Sequence, residues 1–324
     1  MHFDLKRVEG YRNFCNKLWN AARFINLQLS AIKGVGTKES KDVPDIWIKE
    51  KLNEASQRIN SYFEEFRFDL ITITIYDFIW NEFCDWYIEM CKIRLLNQSY
   101  KLGEKKAILR SLISTLEELL RLAHPIMPFI TEEIWQQFKT KHKNKSSSIM
   151  ISKYPGGNSI KATKEVSDIE WVKEIVSGIR NIRGEMKIKP SLKIAALFQE
   201  GDNSDKKRLK EFGLLVTELS GLSSVQWVKE DGKSPASAIN FYKNLKIMIP
   251  LEGLIKPTEE KERIEKNIIK LTRESESISN QLNNDLFIKK APSELIKEHE
   301  KRFKEISQKL LMMNIQLLEI KKLL

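Results

Sequence analysis

The stretch YRNFCNKLWNAARF sets Arg12, Asn13, Asn16, Lys17, Asn20 and Arg23 among aromatic residues at helical spacing. Those side chains share a chemistry. An Asn amide can meet a base edge with a donor and an acceptor at once, and Arg or Lys can reach a phosphate or a guanine edge. At about 100° per residue the six fall on one side of a helix with Trp19 at its margin, while Phe14, Leu18, Ala22, Ile25 and Leu29 form an apolar side. A solvated polar face is the alternative reading, but Asn is a poor helix former and offers no solubility advantage over Glu or Lys. A second group, Phe78, Trp80, Phe83, Trp86 and Tyr87, could stack on bases. Phe83 and Trp86 share the helical face of Ile75 and Ile79 and belong to a core, which leaves Trp80 and Tyr87 as the contact candidates.

Residues that could do covalent chemistry are sparse. His2, His124, His142 and His299 are scattered and none has a Cys or His at metal-ligand spacing, so no metal site is expected. His124 precedes Pro125 at a helix end, where a structural role outweighs a catalytic one. Glu132 and Glu133 fall in the first turn of a helix, where carboxylates suit the dipole. No GxxxxGK[ST], GxGxxG or GxSxG motif occurs, and YPGG at 154–157 reads as a turn. No catalytic residue is assigned. Cys15, Cys84 and Cys91 form no CxxC pair and read as reduced, mostly buried thiols.

The elements that must hold the polar helix follow from periodicity. The 324 residues are 41% hydrophobic with a net charge of +11, enough apolar material for two or three domains and a balance that favours a polyanionic partner. DVPDIWIKEKLNEASQRINSYFEEF reads as a long helix with Asp42 as cap and Pro44 in the first turn. FDLITITIYDFIWNEFCDWYIEMCKIRLL alternates like a strand at Ile71, Ile73 and Ile75, but its length without a turn signal decides for helix. EKKAILRSLISTLEELLRLAHP and PFITEEIWQQFK are further helices, so residues 1–145 form an α-helical bundle. After KHKNKSSS and YPGGNS, residues 160–257 read as a small α+β module with strands in LKIAALF, SVQWV and NLKIMIPL around the helix KKRLKEFGLLVTELSG.

From residue 258, Ile264, Ile268, Leu271, Ser275, Ile278 and Leu282 recur at heptad spacing. His299, Phe303, Ile306, Leu310, Met313, Leu317, Ile320 and Leu324 do so again. NNDLFIKKAPSE interrupts them at Pro292, which predicts an antiparallel coiled-coil hairpin of roughly 35–40 Å over 258–324. The expected fold is mainly α: a bundle, a connecting module and a hairpin arm. No apolar run approaches the roughly 20 residues that span a bilayer. MHFDLKRVEG lacks the apolar core of a signal peptide, so a cytoplasmic protein with no membrane partner is expected.

FDLKRVEGYRNFCNKLWNAARF, then FRFDL, WNEFCDWYIE and LLRLAHPIMPFITEEIWQ, resemble in that order the region following the catalytic domain in bacterial valyl-tRNA synthetases. RNFCNKLWNA and RLAHPIMPFITEEIW are specific to the valine, isoleucine and leucine group, and FCDWY narrows it to valine. The likeness continues through IRNIRGEMKIKP, IPLEGLI and KKAPSELIKEHEKRF, and covers essentially the whole chain. It implies that the bundle binds the anticodon of tRNA(Val), that the hairpin packs on the outer corner of the tRNA, and that Arg12, Asn13, Asn16, Lys17, Asn20 and Arg23 lie on the helix that starts the bundle.

The same resemblance implies a missing half. The family's His-Ile-Gly-His and Lys-Met-Ser-Lys-Ser type motifs, which handle ATP, do not occur here, so the chain reads as a C-terminal portion. It is expected to carry no cofactor, with ATP and Mg belonging to the catalytic domain that is its partner, and to be a monomer. The rivals are a coiled-coil scaffold, a general RNA-binding protein and a standalone enzyme. A scaffold needs a second apolar stripe on the arm, and KLTRESESISNQ has a single seam.

Overall fold

The computed structural model describes residues 5–141, 146–157, 164–229, 235–254, 257–284, 293–321 and 324. His2, His142 and most of the predicted helix break, Pro292 included, lie outside the described residues. The chain divides into two compact units, Met1–Lys173 and Glu174–Leu324. The division falls within a helix, beyond the punctuated stretch that the sequence offers as a linker.

The first unit is helical among the described residues. It contains α1 (Leu5–Ile32), α2 (Val43–Glu64), α3 (Phe68–Asp77), a π-helical segment (Phe78–Tyr87), α4 (Ile88–Leu96), α5 (Leu102–Ala123) and α6 (Pro128–Phe138). A short turn, Ile149–Ile151, and the first part of α7 (Lys164–Glu185) complete it. Pro44 occupies the first turn of α2, where no intrahelical N–H is needed. Asp42 holds the N-cap, but through its backbone: its carbonyl accepts from Asp45 and Ile46 N–H at 2.9 and 3.1 Å. The Asp42 carboxylate turns instead to Arg94, 3.0 Å away.

His124 closes α5, as expected of a residue before proline. Its Nδ1 lies 2.8 Å from Thr131 Oγ1, and the Thr131 hydroxyl donates to Met127 O at 2.7 Å. A hydroxyl has one proton, so it accepts from His124, which places the imidazole proton on Nδ1. Glu132 ties α6 to the following turn by accepting from Gln136 Nε2, Ser148 Oγ and Ile149 N–H. Burial opposes its ionisation, but those donors outweigh burial and hold its pKa below the ordinary carboxylate value.

The strand-like alternation of Ile71, Ile73 and Ile75 falls in α3, an ordinary α-helix that buries Ile71 and Ile75 at a spacing of four and leaves Ile73 exposed; the departure from α-helical geometry comes after it. Between Phe78 and Tyr87 the backbone bonds i to i+5, which widens the turn. Burial recurs at Phe78–Ile79, Phe83–Cys84 and Tyr87–Ile88. These steps of five and four bring Tyr87 into the core and leave Trp86 at its margin, the reverse of a 100° wheel.

The second unit holds the rest of α7, β1 (Ile194–Glu200), α8 (Asn203–Ser220), β2 (Leu222–Trp227), β3 (Ser237–Tyr242) and β4 (Leu245–Pro250). The strand order is β2-β1-β4-β3. β1 and β2 are parallel with α8 as their crossover, and β4 runs antiparallel to both β1 and β3. β3, SAINFY, has no counterpart in the sequence reading. It joins β4 through Lys243 and Asn244, with Lys243 at φ +52°, and so lacks the Asn-Gly or Asp-Gly signal that marks such hairpins.

α8 begins with a reciprocal capping box. Asp202 Oδ1 accepts from Asp205 N–H at 2.8 Å and Asp205 Oδ2 accepts from Asp202 N–H at 3.0 Å. It ends on Gly221 in the left-handed region at φ +66°. A Cβ there would meet the Arg183 guanidinium at an ordinary 3.8 Å, so the penalty of a side chain is in the backbone. Gly221→Ala is expected to cost about 1 kcal/mol, read as a lower urea midpoint with an unchanged m-value.

α9 (Pro257–Leu282) and α10 (Ser293–Lys321) pack against each other. Arg302 on α10 pairs with Glu274 on α9 at 2.8 Å, and Ile278, four residues on, lines a groove with Leu295, Glu298 and His299. Rising numbers on one helix meet falling numbers on the other, so the two are antiparallel. Ile264, Ile306 and Ile320 are fully buried, while Leu271, Ser275, Ile278 and Leu310 are half-buried, as suits a seam covered by one partner helix. Leu324, read as the end of the seam, is exposed. α10 also packs on the edge strand β3, where Glu319 accepts from Ser237 N–H at 3.4 Å. Leu311 and Leu318, seven residues apart on α10, are 63% and 62% exposed, a short second apolar stripe.

Candidate nucleic-acid interface

α1 is anchored by its apolar side. Phe14, Leu18, Ala22 and Ile25 are 4%, 0%, 1% and 0% exposed and pack toward α5, α6 and the π segment, while Leu29 is half-buried. Each fully buried Leu, Ile or Phe contributes about 1.5–3 kcal/mol, enough to fix the rotation of the helix. The polar side must then face outward. Arg12, Asn13, Asn16, Asn20 and Arg23 are exposed, and Asn13, Asn16, Asn20 and Arg23 make no side-chain hydrogen bond or ion pair among the described residues. Arg12 meets Glu9 at 3.2 Å, with both side chains about two-thirds exposed; such a pair is worth well under about 1 kcal/mol and does not tie up the guanidinium.

Spacing divides this surface into two stripes. Asn13, Lys17 and Asn20 follow steps of four and three, and Arg12, Asn16, Trp19 and Arg23 run beside them. Trp19 is 39% exposed and stands between Asn16 and Arg23 in the second stripe. Its place at the edge of the wheel was the available signal, and the sequence-based set of contacts omits it.

Lys17 has neighbours of its own. Its ammonium lies 2.5 Å from Asp85 Oδ1 and 3.7 Å from the centroid of the Trp80 ring. Trp80 stacks on Tyr76 at 5.6 Å, and Phe14 stacks on Tyr76 at 4.9 Å. Trp80 is therefore a half-buried brace between α1 and the π segment, and a base stacking on it from the Lys17 side would have to displace that ammonium. Tyr76 and Asp85 complete the brace, and neither stands out in the sequence because their partners lie on another helix.

Tyr87 does not join this surface. It is fully buried, and its hydroxyl donates to Asp45 at 2.6 Å. The expectation that it contacts a ligand is corrected by the wider turn of the π segment, which rotates it inward. Burial pushes its hydroxyl pKa well above the ordinary phenol value. Burial likewise raises the Cys84 thiol to about 12, and the Cys91 thiol moves in the same direction. The three cysteines are unpaired, with Cys15 half-buried. Among the described residues no group of three or more His, Cys, Asp or Glu is placed to hold a metal ion, and no helix is long and apolar enough to cross a membrane.

Residues 45–198 match the family model for the anticodon-binding domain of tRNA ligase. Residues 258–321, α9 and α10, match that for the valyl tRNA synthetase tRNA binding arm. The valine–tRNA ligase of Psychrobacter arcticus is 36% identical over 332 residues, a match that takes in 100% of this chain and 34% of that protein. The chain belongs to the valyl-tRNA synthetase family. The valine–tRNA ligases of Acinetobacter baylyi and Coxiella burnetii are 35% and 36% identical over 95% and 92% of the chain. The chain spans about a third of the length of these relatives and carries the family's C-terminal anticodon-binding and arm regions. The anticodon-binding match starts at Asp45, so α1 is connected to the valyl-tRNA synthetase family through the full-length relatives and not through that model.

Proposed function

We propose that the chain binds tRNA(Val), with the outward side of α1 turned to the anticodon loop and the α9–α10 hairpin to the outer corner of the tRNA. The observation that carries this reading is the row of exposed Asn13, Asn16, Asn20 and Arg23 side chains on α1, unpaired among the described residues, with Trp19 among them, on a helix whose rotation is locked by its buried side. Amides and guanidinium groups held on a rigid helix select bases, while a plain solvated face would be built from Glu and Lys. The chain performs no chemistry by itself. Joined to a catalytic domain that holds ATP and Mg, it supplies tRNA selection for valine activation and transfer, as a cytoplasmic monomer.

Asn16→Ala and Arg23→Ala are each expected to weaken tRNA(Val) binding by about 1–2 kcal/mol, roughly five- to thirty-fold, and to narrow its preference over other tRNAs. Fluorescence anisotropy at fixed salt checks this, and unchanged affinity together with no preference for tRNA(Val) sinks the anticodon assignment. ATP–pyrophosphate exchange with valine tests the other half; turnover by this chain alone would refute it. A scaffold reading draws on Leu311 and Leu318, but two exposed leucines spanning two turns of one helix are a short seam for a partner coiled coil, which needs three or more heptads.

A further inference from the structure

The second unit contains a groove of about 690 Å³ at the ends of α7 and α8, lined by Arg180, Arg183, Lys187, Lys189, Glu218 and Ser220 among others. Part of this charge has a structural purpose. Arg180 donates to Leu219 O at 2.9 Å and Arg183 to Gly221 O at 3.2 Å, so both cap carbonyls at the end of α8. Glu218 lies 3.6 Å from Lys193, outside the lining. Two helix C-termini supply about half a negative charge each. Against Arg183, Lys187 and Lys189 that leaves an excess near two, more than capping explains.

Arg183 is the sharpest part of that excess. It is 8% exposed, and its remaining bonds run to Lys189 O, Pro190 O and Leu192 O at 2.8, 3.2 and 3.0 Å. Every acceptor is a neutral carbonyl, and burial pulls its pKa below the ordinary guanidinium value with no carboxylate to raise it. Buried cations are normally matched by an anion. Beside it the Ser220 hydroxyl, 4% exposed, has no hydrogen-bond partner among the described residues. Lys187 follows α7 at φ +52°, a left-handed position that usually falls to glycine. Lys187 and Lys189 are exposed and form no ion pair among the described residues.

We infer that this groove seats a phosphodiester of an RNA backbone, with Lys187 and Lys189 as direct contacts and Arg183 as the fixed countercharge beneath them. The inference rests on reading the chain as RNA-binding, and it makes the α+β module a third RNA contact where the sequence offers only a connector. A phosphodiester fits because the groove is cationic without an aromatic platform or a row of amides, so it grips a backbone without reading bases.

Lysine acetylation footprinting of the 324-residue chain tests it. Added tRNA is expected to protect Lys187 and Lys189 at least threefold relative to Lys207 on α8. The double substitution Lys187→Ala, Lys189→Ala is expected to weaken binding of tRNA(Val) and an unrelated tRNA equally, about five- to tenfold, and to flatten the log–log salt dependence by about one to two. Equal acetylation with and without tRNA overturns the inference, and so does equal protection by inorganic phosphate alone, which would mark a free-anion site. Asn16→Ala separates the readings: loss of tRNA(Val) preference with an unchanged salt slope belongs to α1, and protection of Lys187 stands or falls independently of it.

Discussion

Asp45→Ala is expected to destabilise the first unit by about 3–5 kcal/mol, because it strands a buried guanidinium. Arg94 is 2% exposed and Asp45 fully buried, and the two are joined by a direct ion pair. Asp42 gives Arg94 a second carboxylate at 3.0 Å, but that carboxylate is 44% exposed and solvent screens it. Burial works against the Arg94 charge; the Asp45 carboxylate outweighs burial and holds the guanidinium pKa above its ordinary value. The Tyr87 hydroxyl completes the cluster on Asp45 at 2.6 Å, and Arg94 Nε has no partner of its own among the described residues. Only the solvent-screened Asp42 carboxylate is left beside Arg94 once Asp45 is gone. Urea denaturation followed by far-UV circular dichroism measures the loss. A drop below about 1 kcal/mol would mean that water or Asp42 replaces Asp45, and Asp45→Leu combined with Arg94→Met should recover most of the loss, since an apolar pair removes the stranded charge.

The second large effect is expected at Trp47, whose replacement by alanine should cost about 3–5 kcal/mol. Trp47 is fully buried and among the largest side chains of the core. Its indole N–H donates to Glu170 at 3.1 Å, and the Lys173 ammonium lies 5.2 Å from its ring centroid. Glu170 pairs with Lys51 at 3.1 Å, and Lys173 pairs with Glu82 at 2.8 Å. One indole thus joins α2, the π segment and the start of α7 within the first unit. Trp47→Phe keeps most of the ring volume and loses the N–H bond, so about 1–2 kcal/mol is expected there. Equal losses for the alanine and phenylalanine variants would show that the hydrogen bond, and not the packing, carries the effect.

Much of this architecture is legible in the residues. The apolar side of α1, the cap region at Asp42 and Pro44, the end of α5 at His124, the first, second and last strands of the sheet and the heptad seams all rest on local signals. Three features did not emerge, for different reasons. β3 lacks a turn signature and lies at the sheet edge, where α10 covers it. The π segment inserts i to i+5 bonding that a fixed 100° wheel has no means to represent, which misplaces Tyr87. The end of the first unit lies within α7, because the contacts of Glu170 and Lys173 with Trp47 and Glu82 bind the start of that helix to the bundle across long sequence separations.

The sequence by itself determined the helical class, the family and the grouping of Arg12, Asn13, Asn16, Lys17, Asn20 and Arg23 on one helix face, since periodicity and side-chain type are properties of neighbours along the chain. The tertiary structure alone decided which of those groups are unengaged. Lys17 is drawn to Asp85 and Trp80, Tyr87 turns inward to Asp45, and Trp19 stays outside beside Asn16 and Arg23. The same holds for Arg183, whose carbonyl partners leave its charge unmatched. Availability depends on what a second element places within a few ångströms, and that is fixed when the helices pack.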